Sequence, residues 1–305
     1  MPQSRKPSRS QFNRRSTAED VTAGIDLSGK TVVITGVNSG LGFESMRVLA
    51  LRGAHVIGAA RTVEKAGEAC RAVEGETTPV ACELSDLASV ASCADVIQGM
   101  GRPVDVLLCN AGIMALPRLE QKYGLELQFL TNHLGHFVLI HRLLDRVKEA
   151  DAGRVVIVSS DGHQLTPKGG IDFDNLSGDA GYSSWRFYGQ SKLANVLTSN
   201  ELARQVEGSR MTSNALHPGV IRTNLIRHGS GIVASLISAF SRPFERSLSQ
   251  GAATQCYVAV HPDLEGVGGH YFSNSNPARP SRLGLDANLA RRLWDVSEQL
   301  VADYL

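Results

Sequence analysis

Short runs of β-branched and aliphatic residues alternate along this chain with longer stretches whose apolar positions recur at helical spacing. Residues 31–35 read Thr-Val-Val-Ile-Thr, and comparable runs occupy 55–60, 78–83, 104–109, 154–160, 211–217 and 269–273. Apolar runs of this length suit strands buried on both faces of a parallel sheet. Helices are expected between them, near residues 40–52, 63–73, 87–100, 128–149, 188–206 and 249–260, and an amphipathic segment over 286–305 closes the chain. Such alternation predicts an α/β fold, a Rossmann-type doubly wound parallel sheet in a single domain with strand order 3-2-1-4-5-6-7. No internal repeat and no linker divides the body. Ligands of such sheets bind beyond the carboxyl ends of the strands.

Composition narrows the class. At 305 residues and 42% hydrophobic the chain can bury a large core. A net charge of +1 argues against a general nucleic-acid binder. The charge is uneven, because residues 1–16 hold Arg5, Lys6, Arg9, Arg14 and Arg15 without an acid. Residues 1–20 are therefore expected to be a disordered basic tail ahead of a folded domain over 25–305. The same basic, serine-containing stretch admits an organelle-targeting reading. Cys70, Cys82, Cys93, Cys109 and Cys256 are scattered without a Cys-x-x-Cys pair, which suits reduced thiols in a cytoplasmic protein. No apolar stretch is long enough for a membrane span.

Candidate chemistry begins after the first strand. Gly36, Gly40 and Gly42, with Asn38, Ser39 and Leu41 between them, form a glycine turn that opens a helix. Strand, glycine turn and helix N-terminus together make a pyrophosphate cradle, although the spacing Gly-x-x-x-Gly-x-Gly implies a longer loop than Gly-x-Gly-x-x-Gly. The second strand ends in Ala60-Arg61, where an acid would bind the ribose of NAD. Without that carboxylate, and with a guanidinium beside it, the sequence points to NADP(H). Glu83 and Leu84, at the end of the third strand, are placed to meet the adenine. Tyr188 and Lys192, four residues apart, share one helical face, where an ammonium would draw a phenol's pKa down toward the working range. His133, His136 and His141 lack the spacing of a metal site and read as buried or capping histidines, so no metal is expected. The apolar run over 231–240 reads as a lid and suggests a hydrophobic substrate.

Taken in order, residues 35–42, Cys109-Asn110-Ala111-Gly112, Asn132, Ser160, Tyr188–Lys192 and Pro218-Gly219 with Thr223 resemble the short-chain dehydrogenase/reductase family over nearly all of 25–305. The runs Thr131-Asn-His-Leu-Gly-His-Phe137 and Leu216-His-Pro-Gly-Val220 are similar to its retinol-dehydrogenase-like branch, which includes WW-domain oxidoreductases and a dehydrogenase of plant chloroplast protein import. The resemblance implies an NADP(H)-dependent oxidoreductase that interconverts a lipophilic carbonyl, aldehyde or ketone, with its alcohol. Tyr188 would be the general acid. Lys192 would lower the phenol's pKa and hold the nicotinamide ribose, Ser160 rather than Ser159 would bind the substrate oxygen, and Asn132 would order a relay water. Asn110, Ala111 and Gly112 would line the adenine-side ribose, and Pro218, Gly219 and Thr223 the carboxamide. Cys109 departs from the asparagine many members carry, and the insertion over 161–187, with Trp185, is expected to form a loop over the site. The family resemblance also implies a homo-oligomer. A second reading is an NADPH-binding sensor or regulatory subunit with little turnover; an intact Tyr188, Lys192, Ser160 and Asn132 set favours the enzyme.

Overall fold

A computed structural model describes residues 5–219 and 247–305. Eight strands form the main sheet: β1 (Thr31–Thr35), β2 (His55–Ala60), β3 (Thr77–Ala81), β4 (Val106–Cys109), β5 (Arg154–Val158), β6 (Thr212–His217), β7 (Tyr271–Ser273) and β8 (Asn276–Ala278). Their order is β3-β2-β1-β4-β5-β6-β7-β8. The first seven pair in parallel in the order the sequence predicts, and β8 adds an antiparallel edge to β7.

Alternate residues of each strand serve opposite layers. Val32 and Ile34 of β1 and Val106 and Leu108 of β4 face a core shared with helices α1 (Ala18–Val21), α2 (Gly40–Leu51) and α3 (Val63–Arg71) and with the helix over Leu248–Val260. Val33 of β1 and Leu107 and Cys109 of β4 face a second core. That core is completed by α4 (Leu87–Gly99), α5 (Gly135–Lys148), α6 (Ser184–Gln205) and a last helix over Ala287–Val301. In chain order the two remaining helices are α7 (Leu248–Val260) and α8 (Ala287–Val301). This two-faced burial is why the strands read as continuous apolar runs rather than alternating ones. All five cysteines are free and buried. Among the described residues no helix is long and apolar enough to cross a membrane.

The N-terminal segment differs from the expected disordered tail. Thr17 caps α1 in a reciprocal capping box with Asp20, and Ala18 and Val21 are buried in the core shared with α7. Upstream, the Ser10 hydroxyl donates to the Ser275 carbonyl at 2.8 Å, and Asn276 Nδ2 donates to the Phe12 carbonyl at 2.8 Å. The Phe12 ring meets Tyr257 edge-on at 5.8 Å and His261 at 5.6 Å. A basic, serine-rich composition implied disorder; three apolar side chains at the right places overrule it.

A second difference lies ahead of α5. The sequence predicts a plain helix from 128, but the chain enters it through a short turn, Leu127–Phe129, and a π-helical stretch, Leu130–Leu134. Such widened turns concentrate at functional sites. This one carries Asn132.

Candidate active site

The glycine turn leaves β1 with Gly36 and Gly40 in left-handed conformations, φ +76° and +62°. It opens α2, whose N-cap residue Ser39 makes no side-chain capping bond. The first-turn N–H groups of α2 therefore receive no cap from Ser39, at the positive end of the helix dipole. Gly42 marks the close approach: a Cβ there would fall inside contact distance of the Gly36 carbonyl oxygen and 2.6 Å from Asn110 Nδ2. Asn38 and Ser39 are exposed at the tip, and Leu41 is half-buried. Arg61 follows the buried Ala60 and is exposed beside this turn's neighbouring strand.

Asn110 serves the turn rather than pointing at open space. Its Nδ2 donates to the Thr35 carbonyl at 2.8 Å, and its Oδ1 accepts from Gln255 Nε2 at 3.2 Å. The backbone N–H groups of Asn110 and Ala111 both donate to Thr35 Oγ1 at 3.0 Å. Gln255, on α7, also bonds Ser45 Oγ of α2 at 2.6 Å. It ties the helix behind the glycine turn to the end of β4, and the only local sign of it is a polar residue in an apolar helical stretch. Glu83 is partly spent locally, accepting from the backbone N–H and hydroxyl of Ser85 at 3.1 and 2.9 Å, while Leu84 is buried.

Beyond β5 and α6 the second group of predicted residues converges. Tyr188 and Lys192 lie one helical turn apart on α6, 6% and 5% exposed, with Lys192 Nζ 6.0 Å from the Tyr188 ring centre. Lys192 Nζ donates to the Val158 carbonyl at 3.0 Å, beside Asn195 Nδ2 at 3.1 Å on the same oxygen. The two serines that follow β5 divide as alternation requires. The Ser159 hydroxyl donates to the Lys192 carbonyl at 2.7 Å, anchoring α6. Ser160 Oγ accepts from the Gly162 N–H at 3.1 Å. A Cβ on Gly162 would lie 2.8 Å from the Tyr188 ring, so a larger residue would displace it.

Asn132 is fully engaged. Its Oδ1 accepts from the Ile113 N–H at 2.8 Å, and its Nδ2 donates to the Ile113 carbonyl and to Ser191 Oγ, each at 2.9 Å. It stitches the β4 loop to α6. Gly112 sits between: a Cβ there would be 2.9 Å from Asn132 Oδ1 and 3.4 Å from Lys192 Nζ. Pro218 and Gly219 follow β6, Gly219 at φ +102°; Thr223 and the apolar run over 231–240 lie outside the described residues.

The electrostatics depart from the expected picture in one respect. Burial pulls the Lys192 pKa down to about 8. Burial also pushes the Tyr188 phenol up, with the Ser160 hydroxyl pulling the other way. The depression expected from the neighbouring ammonium is therefore not the net direction; desolvation outweighs it. His133 and His136, expected to be buried or capping, are 1% and 2% exposed and hydrogen-bonded within the core. The insertion over 161–187 packs Ile171 and Leu176 into the core beside α6. It leaves Leu165 and Trp185 52% and 41% exposed beside Tyr188, whose ring Trp185 meets edge-on at 6.1 Å.

Comparison with known proteins identifies the family. The family model for short chain dehydrogenase matches residues 30–230. The chain is 43% identical to the Brassica napus short-chain dehydrogenase TIC 32 B, chloroplastic, over 97% of this chain and 96% of that one. It is 40% identical to human retinol dehydrogenase 14, over 90% of this chain and 87% of the relative. A crystal structure of an uncharacterised Mycobacterium paratuberculosis protein superposes with a TM-score of 0.73 at 36% identity, covering 92% of this chain and 97% of that one. A glycine turn at the end of β1, a Tyr-x-x-x-Lys pair on α6 and relatives this similar over nearly the whole length place the chain in the short-chain dehydrogenase family, in its retinol-dehydrogenase-like branch.

Proposed function

We propose that the protein is an NADP(H)-dependent oxidoreductase that interconverts a lipophilic carbonyl compound and its alcohol, with Tyr188 as the general acid and base. The observation that carries this reading is the convergence of Tyr188, Lys192, Ser160 and Asn132 around two glycines, Gly112 and Gly162, where a Cβ would fall 2.9 Å from Asn132 Oδ1 and 2.8 Å from the Tyr188 ring respectively.

The chain's features fit a nicotinamide dinucleotide. An uncapped helix N-terminus at Ser39 suits the pyrophosphate, and the close approach at Gly42 keeps side chains out of its way. Arg61 would take the 2′-phosphate by forked, charge-assisted hydrogen bonds, with Glu83 and Leu84 at the adenine side. Ala111, Gly112, Pro218, Gly219 and Thr223 would complete the cleft. The bound cofactor would supply the hydride. Tyr188 would give its phenolic proton to the substrate oxygen, so that hydride on carbon and proton on oxygen together make the alcohol; oxidation reverses both transfers. Ser160 would donate a hydrogen bond to that oxygen as negative charge builds on it. Lys192 would hold the ribose hydroxyls and favour the phenolate. The exposed Trp185 and Leu165 beside Tyr188 support an apolar substrate.

The test is a panel of apolar aldehydes, ketones and alcohols followed by NADPH absorbance with wild type and Tyr188→Phe. Loss of turnover by roughly three orders of magnitude or more, with NADPH affinity retained, is the expected result. Equal rates would end the catalytic assignment. Tight NADPH binding without turnover on any substrate would favour the regulatory-subunit reading instead.

A further inference from the structure

The imidazole of His136 joins the two halves of the site, and its hydrogen bonds can be assigned by counting. Thr35 Oγ1 accepts from the Asn110 and Ala111 N–H groups, which uses both of its lone pairs. Its own proton must go to the third neighbour, His136 Nε2, at 2.9 Å. On the other side His136 Nδ1 lies 3.0 Å from the Asn132 carbonyl, which can only accept. The ring is thus neutral with its proton on Nδ1, an assignment that rests on the bonding partners. It agrees with a pKa pulled down to about 4 by burial and by the Lys192 charge.

We infer that His136 is a positioning residue for the proposed reaction: its Nε2 braces the Thr35–Asn110–Ala111 turn over the cofactor cleft, while its Nδ1–H holds the Asn132 carbonyl in the π-turn behind Lys192. Both ends matter. Thr35 fixes where the chain leaves β1 and β4, the two strands flanking the cleft. Asn132 in turn grips Ile113 and Ser191, and so sets the β4 loop against the helix that bears Tyr188 and Lys192. An imidazole is suited to this, since one flat, buried side chain offers an acceptor and a donor on opposite edges. The inference rests on the proposed cofactor and proton-transfer chemistry of the same site.

Two isosteric amides separate the ends. His136→Gln carries an amide near the Nε2 position and can still meet Thr35, but leaves the Asn132 carbonyl without its donor. His136→Asn carries one near Nδ1 and does the reverse. The Gln variant is expected to lose about tenfold more kcat than the Asn variant, with a changed pH profile of kcat. The Asn variant is expected to lose about tenfold more NADPH affinity than the Gln variant. Thr35→Val should weaken NADPH binding like His136→Asn, and the double variant should lose less than the two single losses combined. NADPH affinity is read by nucleotide fluorescence and needs no turnover. If wild type binds NADPH but reduces no carbonyl, the proposed function has failed, and the affinity split alone decides the role of His136. Equal affinities and equal kcat in the two amide variants, or parallel losses of both in each, would overturn the inference.

Discussion

Acid should destabilise this protein, because His133 of the π-turn and His136 at the start of α5 are both buried neutral. His133 Nε2 lies 2.8 Å from Ser297 Oγ, whose own proton goes to the Leu293 carbonyl at 2.7 Å, so Nε2 is the donor. Its Nδ1 faces Thr198 Oγ1 at 3.4 Å. Burial holds the His133 pKa down at about 3 and that of His136 at about 4. An unfolded histidine titrates near 6.5. Both folded values lie below the unfolded one, so between about pH 6.5 and 4 the unfolded chain takes up protons that the folded one refuses. Stability then falls as pH falls. Between pH 7 and pH 5 each histidine costs about 2 kcal/mol by this linkage, roughly 4 kcal/mol for the pair. That is a large share of a typical stability of about 5–15 kcal/mol. The assay is urea unfolding at the two pH values for wild type and His133→Gln. Other histidines and the carboxylates contribute to both curves, so the difference between the two proteins isolates His133. The variant will be weaker at pH 7, but its loss on going to pH 5 should be smaller by about 2 kcal/mol. An unchanged loss would refute the claim that His133 is buried uncharged.

Two further outcomes test the cofactor assignment and the N-terminal arm. Arg61→Glu should weaken NADPH binding by at least about tenfold while leaving NADH affinity equal or improved, because the exposed guanidinium is asked to bind only the extra phosphate. Fluorescence titration with both nucleotides decides it, and an equal loss for the two would sink the preference. Phe12→Ala removes the ring that meets Tyr257 and His261, at a cost of about 1–2 kcal/mol for a half-buried aromatic. Limited proteolysis should then cut ahead of Thr17 faster than in wild type; identical digestion would mean that the arm is held by its polar contacts with Ser275 and Asn276 alone.

What could be read from the chain beforehand, and what could not, follows from how far apart the interacting residues are. The parallel order of β1 to β7 was legible because both faces of each strand are covered, which leaves unbroken apolar runs. Strand ends were less so. β3 stops at Ala81 rather than 83, since the Glu83 N–H turns to Ser89 Oγ and its carboxylate to Ser85. β8 escaped notice because it is an edge of three residues containing Pro277, which a central strand would not tolerate. The N-terminal arm is illegible in the sequence for a related reason. Its anchors, Ser275 and Tyr257, lie some 245 residues or more away, and composition is blind to partners at that separation.

The same division runs through the site. Tyr188 and Lys192 were recognisable as a pair because helical geometry makes them neighbours whatever surrounds them. The direction of the Tyr188 shift depends instead on what surrounds them, and in this fold both side chains are buried. Gln255 and His136 make the point more sharply. Each is a polar residue in an apolar helical stretch and reads as ordinary core. Each is held by a hydrogen-bond partner 101 to 145 positions away: Thr35 on β1 donates to His136, and Asn110 at the end of β4 accepts from Gln255. Burying such a group is costly unless its hydrogen bonds are met. A polar side chain at a fully buried position of a periodic helix is therefore the one local sign of a long-range bond, and in this chain that sign stands at both residues bracing the cleft.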